Sequence, residues 1–191
     1  MQGDSSRRGA EGRHFLPVLV IAHVLTASIM VLVLHQVGTV VLASVDWDLR
    51  VGVLAVLAVG GAAVDVRAVL RGGMAVGLAR QTPKAVGHDP RRPWWVTPII
   101  WGTDTGLIWT TFRVSSTSWA LLAGALLAVV PPWAGAVYGV AFAVPLSVSV
   151  LTGRGTRVGQ VGSRLTTVST QVAQVAGASV LALPLLVALI G

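Results

Sequence analysis

The sequence predicts an all-α, polytopic integral membrane helix bundle of five spans plus a broken or re-entrant segment, with six spans as the alternative. Three observations carry this expectation. The 191 residues are 54% hydrophobic and 11% charged, with a mean hydropathy of +0.78, whereas a soluble domain carries about 25% charged residues. Apolar runs of roughly 20 residues, the length that crosses a bilayer, alternate with basic loops. Between them lies 93–119, PWWVTPIIWGTDTGLIWTTFRVSSTSW, which holds five of the seven tryptophans and sets Asp104 inside a membrane-like run.

Residues 1–14 are polar, with Arg7, Arg8 and Arg13, and read as a disordered basic arm. Residues 15–191 form a single transmembrane domain. Ser6-Arg7-Arg8 hints at a twin-arginine signal, but Gly9-Ala10 follows where a hydrophobic continuation belongs. The apolar run ahead of Val41-Leu42-Ala43 exceeds a signal-peptide core of about 7–15 residues, so an uncleaved first span is expected.

That span is 15–35, apolar on nearly every face. His23 lies well inside it. Two readings stand side by side: a histidine hydrogen-bonded to a neighbouring helix, or a proton or ligand site, the default hypothesis for an intramembrane ionisable group. His35 falls at the span's end. The loop 36–50 carries Asp46, Trp47, Asp48 and Arg50. Its two carboxylates fall short of the roughly six to eight oxygens calcium takes. The second span is 50–70, where Gly60-Gly61 permits close packing. Asp65, Arg67 and Arg71 mark its end, and with no basic residue on the face of Asp65, these charges are expected to reach headgroups and water. The connection 71–93 is basic and proline-rich, and its His88-Asp89 pair is weak evidence for a metal.

Residues 94–112 have the length of a span, yet contain Pro98, Gly102, Gly106 and five threonines. A helix break over Gly102–Gly106 is expected, and in lipid such a break is tolerated only inside protein or beside a wet cavity. The tryptophans suit interface anchoring and packing. Spans 114–131 and 133–151 meet at Pro131-Pro132, and Pro145 is expected to kink the second. Gly135 and Gly139 have the G-x-x-x-G spacing of close helix crossings, a match that a glycine-rich chain also produces by chance. After the basic loop 152–166, the last span, 168–190, carries Gln171 and Gln174 on one face for interhelical hydrogen bonds.

Charge chooses between the threadings. If 94–112 crosses, nine basic residues (three in the arm, six from Arg67 to Arg92) face five across the membrane. If it dips and returns, thirteen face Arg50 alone. The positive-inside rule favours the second, with the N-terminus cytoplasmic and the chain in the cell membrane.

Trp101-Gly102-Thr103-Asp104-Thr105-Gly106-Leu107, continuing Thr110-Thr111-Phe112-Arg113-Val114-Ser115, and Tyr138-Gly139-Val140-Ala141-Phe142-Ala143-Val144-Pro145 resemble stretches of small actinobacterial membrane proteins related to the transmembrane electron carriers of cytochrome c biogenesis. The resemblance covers roughly 94–151. It implies a bundle with broken helices near its middle. The carriers work through a pair of cysteines, and this chain has none, so no functional residue carries over.

The net charge of +7 is spread between apolar runs rather than along a groove, and no nucleic-acid-binding motif is present. The partners expected are the lipid bilayer and, in one reading, another membrane protein. No HExxH, DxxD or GxSxG pattern occurs, so neither an enzyme nor a cofactor nor a metal site is expected. Two functions remain. One is a small transporter-like protein with a substrate or ion site at Asp104, Thr103 and Thr105, with His23 and Gln174 facing the same cavity. The other is a non-catalytic assembly or interaction subunit, in which Asp104 pairs with Arg113 or caps a half-helix.

Overall fold

The computed structural model describes residues 3–71, 93–108 and 115–151 and, in the last segment, 172, 175–177 and 179. The regular structure among these residues is helical, with no strand. Five helices follow in order: α1 Gly3–Val41, α2 Trp47–Leu70, α3 Val96–Gly106, α4 Thr117–Leu126 and α5 Ala134–Leu151. Residues 14–41 of α1 and the 24 residues of α2 are each long and apolar enough to cross a membrane, with 18-residue stretches of mean hydropathy 2.5 and 2.0 respectively. The first turns of α1 take in the residues assigned above to the arm. A helix nucleated by the apolar run extends outward without a second nucleation cost.

The bundle is organised around α1, against which α3, α4 and α5 pack. Glycines set how closely two of them approach. A Cβ on Gly106 would lie 2.6 Å from the His23 carbonyl oxygen and 2.7 Å from Thr26 Cβ. One on Gly135 would lie 2.5 Å from the Ala27 carbonyl oxygen. Gly102 on α3 and Gly139 on α5 complete two G-x-x-x-G pairs, each flush against α1. Backbones brought this close gain dispersion contacts that any larger side chain forfeits. The Gly135/Gly139 spacing is therefore a packing device here rather than a coincidence of composition.

Contacts along α1 give the direction of each neighbour. Gly102 meets Leu19–His23 and Gly106 meets His23–Ala27, so α3 runs parallel to α1. Leu122 and Ala125 of α4 join Ala27, Val31 and Ile108 in the buried core. The end of α4, at Leu126 and Ala128, reaches Gly38. Thus α4 also runs parallel to α1, and α3 and α4 lie in series beside it. On α5, Gly135 meets Ala27–Val31 and Gly139 meets Val24, so α5 is antiparallel. A Cβ on Gly124 of α4 would meet Leu54 of α2, while Asp65 of α2 meets the start of α4, so α2 is antiparallel as well.

The same contacts set the course of 94–131. Two half-length helices, about 15 Å each, follow one another in the same direction. Together they match α1 from Phe15, edge-on to Trp101, to Gly38, about 35 Å away. The helix is intact across Gly102–Gly106, where a break was expected. It ends at Gly106, and two residues on Ile108 takes φ 61° while 1% exposed in the core. A β-branched residue in this left-handed region costs about 1–2 kcal/mol, a strain held in place by the surrounding core. The glycines permit contact with α1 instead of releasing the helix, because that contact outweighs their low helix propensity.

The far end of α4 closes in a Schellman arrangement: Ala128 N–H donates to the Ala125 carbonyl and Val129 N–H to that of Gly124, both at 2.9 Å. Ala128 occupies the left-handed position, φ 54°, that glycine more often fills. His35 Nδ1 lies 2.9 Å from the Val130 carbonyl oxygen and ties this turn to α1. Gly60, expected to serve packing, has nothing among the described residues within 4 Å of where its Cβ would be. Helix α5 continues through Pro145.

Candidate functional site

Two buried polar clusters lie at or near the gap between α3 and α4. The first is centred on His23, which has no exposed surface. Its Nδ1 is 3.0 Å from Thr105 Oγ1 on α3. On its other side the imidazole stacks on Phe142 of α5, with centroids 4.4 Å apart and planes 25° apart. One ring thus joins three helices, between the glycines of α3 and those of α5. The Thr105 hydroxyl also lies 2.8 Å from the Trp101 carbonyl oxygen and 3.1 Å from that of Gly102. A hydroxyl has one proton. Donated to either carbonyl, as helical threonines commonly do, it leaves the Thr105 oxygen to accept from His23, which places a proton on Nδ1.

The remaining residues singled out from the sequence fall differently. Thr103 and Asp104 are half-buried on α3. Counting about 100° per residue, Asp104 lies about 160° around the helix from both Gly102 and Gly106. It therefore lies on a different face of α3 from the glycines that meet α1. Gln174, Arg113 and the His88-Asp89 pair lie outside the described residues. Gly102 and Gly106 are buried at the α1 contact.

The second cluster was not legible as a site. Asp65, expected to reach headgroups and water, has no exposed surface. Its carboxylate accepts from Ser115 Oγ at 2.6 Å, from Ser116 Oγ at 2.8 Å, and from Ser116 N–H at 2.8 and 3.1 Å to its two oxygens. Ser116 is the residue before α4. A carboxylate from α2 therefore caps a half-helix whose own N-cap side chain makes no capping hydrogen bond. The negative charge also faces the positive end of the α4 dipole. Ser115 Oγ is 2.8 Å from Thr117 Oγ1, and Thr117 N–H donates to Ser115 Oγ at 3.2 Å. Gly177 of the last segment is buried close against Ser115 and Thr117.

The partners of Asp65 are not on its own helix. Backbone and hydroxyl donors fifty residues away satisfy the carboxylate instead. One signal was present in the sequence: the run Ser115-Ser116-Thr117-Ser118 is a dense set of N-cap residues directly ahead of an apolar segment. Among the described residues, no group of three or more His, Cys, Asp or Glu is placed to hold a metal ion. No family model matches the chain, and searches of curated proteins and of solved structures found no significant match.

Proposed function

We propose that this chain is a multi-pass membrane protein with a transporter-like core, in which α3 and α4 form one discontinuous crossing beside α1. The observation that carries the reading is the gap between the two half-helices, with buried ionisable groups at it (Asp65) and about one turn from it (His23). Interrupted helices at mid-membrane depth serve substrate and ion sites in many transporters. They persist in lipid only where protein or water satisfies the freed backbone, as Asp65 does for Ser116.

Other features agree with membrane embedding. Trp94 and Trp95 are exposed at one end of the bundle, Trp47 and Trp133 at the other, as in two interfacial belts. Between them α1 and α2 expose apolar side chains such as Ile21, Leu25, Ile29 and Val56. With 94–131 as one crossing, twelve of the fourteen Lys and Arg residues belong to segments on the N-terminal side, Arg50 to the other side, and Arg113 to the residues between the half-helices. That partition puts the N-terminus, 71–93 and 152–166 in the cytoplasm and yields five crossings once 168–190 is included. Single cysteines at Ser5, Gln81 and Gln160 have no background thiol to compete with them. All three are expected to resist an impermeant thiol reagent applied to intact cells; labelling of position 160 alone refutes this threading.

Transport is tested in liposomes with a trapped pH dye and an imposed membrane potential. The purified protein is expected to admit protons faster than protein-free vesicles do. A second reading, the assembly subunit, draws on Asp65, whose oxygens are already occupied by protein donors as in a static cap. Vesicles that stay tight to protons, sodium and potassium favour it.

A further inference from the structure

We infer that the outward face of α2 binds an acidic phospholipid, with its phosphate on Arg67 and Arg71 and an acyl chain along the apolar strip ahead of them. The inference rests on the membrane embedding proposed above and is independent of transport. One side of α2 meets α4: Leu54 lies against Gly124 and Asp65 accepts from Ser116, with Ala58 and Ala68 also buried. Counting about 100° per residue, Arg67 lies about 160° around the helix from Asp65. Val53, Val56, Gly60, Val64 and Arg71 all fall within about 60° of Arg67. Every one of these residues is exposed, Val56 at 72%. Gly60 has nothing among the described residues within 4 Å of where its Cβ would be. The strip therefore has a shallow dent there that a methylene chain can occupy.

The dimensions of the strip fit a lipid. From Trp47, exposed at one end of α2, to Arg67 is about 30 Å along the helix, the thickness of the hydrocarbon core. With Trp47 at one interface, Arg67 and Arg71 lie at headgroup level at the other. From Arg67 back to Val56 is about 16 Å, close to the depth of one leaflet. Charge then selects the headgroup. Two guanidinium groups one turn apart share this face, and each has the planar fork that donates paired hydrogen bonds to a phosphate. Asp65, the nearest acid on the helix, is on the opposite side and is engaged by Ser115 and Ser116, so it does not offset them. A zwitterionic headgroup brings its own cation beside the phosphate, which the arginines repel; an acidic headgroup does not. The other end of α2 has the reverse balance. Asp46 and Asp48 flank Trp47 there, and Arg50 lies over that indole, 5.4 Å from the ring centroid.

The test uses two single cysteines on this face, Val64→Cys beside the arginines and Val53→Cys in the other leaflet, in a chain with no thiol of its own. Each is labelled with a bimane fluorophore, and the protein is reconstituted in phosphatidylcholine vesicles. Spin-labelled phosphatidylglycerol or spin-labelled phosphatidylcholine is added in increasing fractions as the quencher. At position 64, phosphatidylglycerol is expected to reach half-maximal quenching at a mole fraction about fivefold lower than phosphatidylcholine, the factor one arginine supplies near an anionic surface. At position 53 the two lipids are expected to quench alike. Arg67→Gln combined with Arg71→Gln is expected to remove the preference at position 64, whereas Arg67→Lys with Arg71→Lys, which keeps both charges, retains most of it. If the glutamine pair fails to insert, Arg71→Gln alone is expected to lower the preference about twofold. Equal quenching by both lipids at position 64, the same preference at position 53, or a preference that survives the glutamine substitutions overturns the proposal. The embedding fails separately. No quenching by either lipid at either position removes the membrane reading itself, whereas equal quenching leaves it standing and removes only the lipid site.

Discussion

Asp65→Ala is expected to destabilise the folded protein by about 3 kcal/mol, because it strands a buried backbone N–H and two hydroxyls that now share a carboxylate. For a chain of this size that corresponds to a fall in melting midpoint of roughly 6–12 °C, read by tryptophan fluorescence in detergent or nanodiscs. Asp65→Asn is expected to cost less, about 1–2 kcal/mol. Its amide oxygen can still accept from Ser116 N–H, and the serine hydroxyls can rotate to accept from the new NH₂ group. Ser115→Ala and Ser116→Ala each remove one donor to the carboxylate. Combined with Asp65→Ala in a double-mutant cycle, each is expected to show coupling of about 0.5–3 kcal/mol. An unchanged midpoint for Asp65→Ala, with no coupling to either serine, contradicts a buried cap and returns Asp65 to solvent.

The second large effect is expected at Gly106. A methyl group there meets the His23 carbonyl oxygen at 2.6 Å and Thr26 Cβ at 2.7 Å, and neither belongs to a side chain that can swing away. Gly106→Ala therefore requires α3 to move off α1, at a cost of about 1–3 kcal/mol. Gly106→Leu is expected to cost more and to break the 3.0 Å contact between His23 and Thr105. The matched control is Gly60→Ala on α2, where the added methyl meets nothing among the described residues within 4 Å. That substitution is expected to be neutral or stabilising by up to about 1 kcal/mol, through the better helix propensity of alanine. Equal melting midpoints for the two alanine variants would mean that α3 does not depend on close contact at Gly106.

The two glycine sites also mark how far sequence reasoning reached. Gly102 and Gly106 were legible as unusual in an apolar run, and were assigned to a helix break. Their i, i+4 spacing equally fits a packing stripe, which Pro98 extends by one more turn on the buried side of α3. Composition does not separate the two meanings, since glycine both weakens a helix and lets another helix approach. Only the position of α1 decides. In the same way His23 stood out as an ionisable group in an apolar span, while its partner Thr105 is eighty-two residues away. Asp104 drew attention for the same reason as His23, yet helical periodicity turns it to the other face of α3.

The sequence by itself determined the local matters: helical segments, the apolar length of α1 and α2, the tryptophans at the segment ends, and the bias of basic residues toward alternate loops. These follow from the chain's own hydropathy and from helix length, which need no partner to be defined. The tertiary structure alone decided which face of each helix is buried, that α3 and α4 run in series rather than back on one another, and that Asp65 is a cap. Each of these depends on a contact between segments far apart in the chain. The energy of such a contact comes from shape and hydrogen-bond geometry at one place in space, which no single segment encodes.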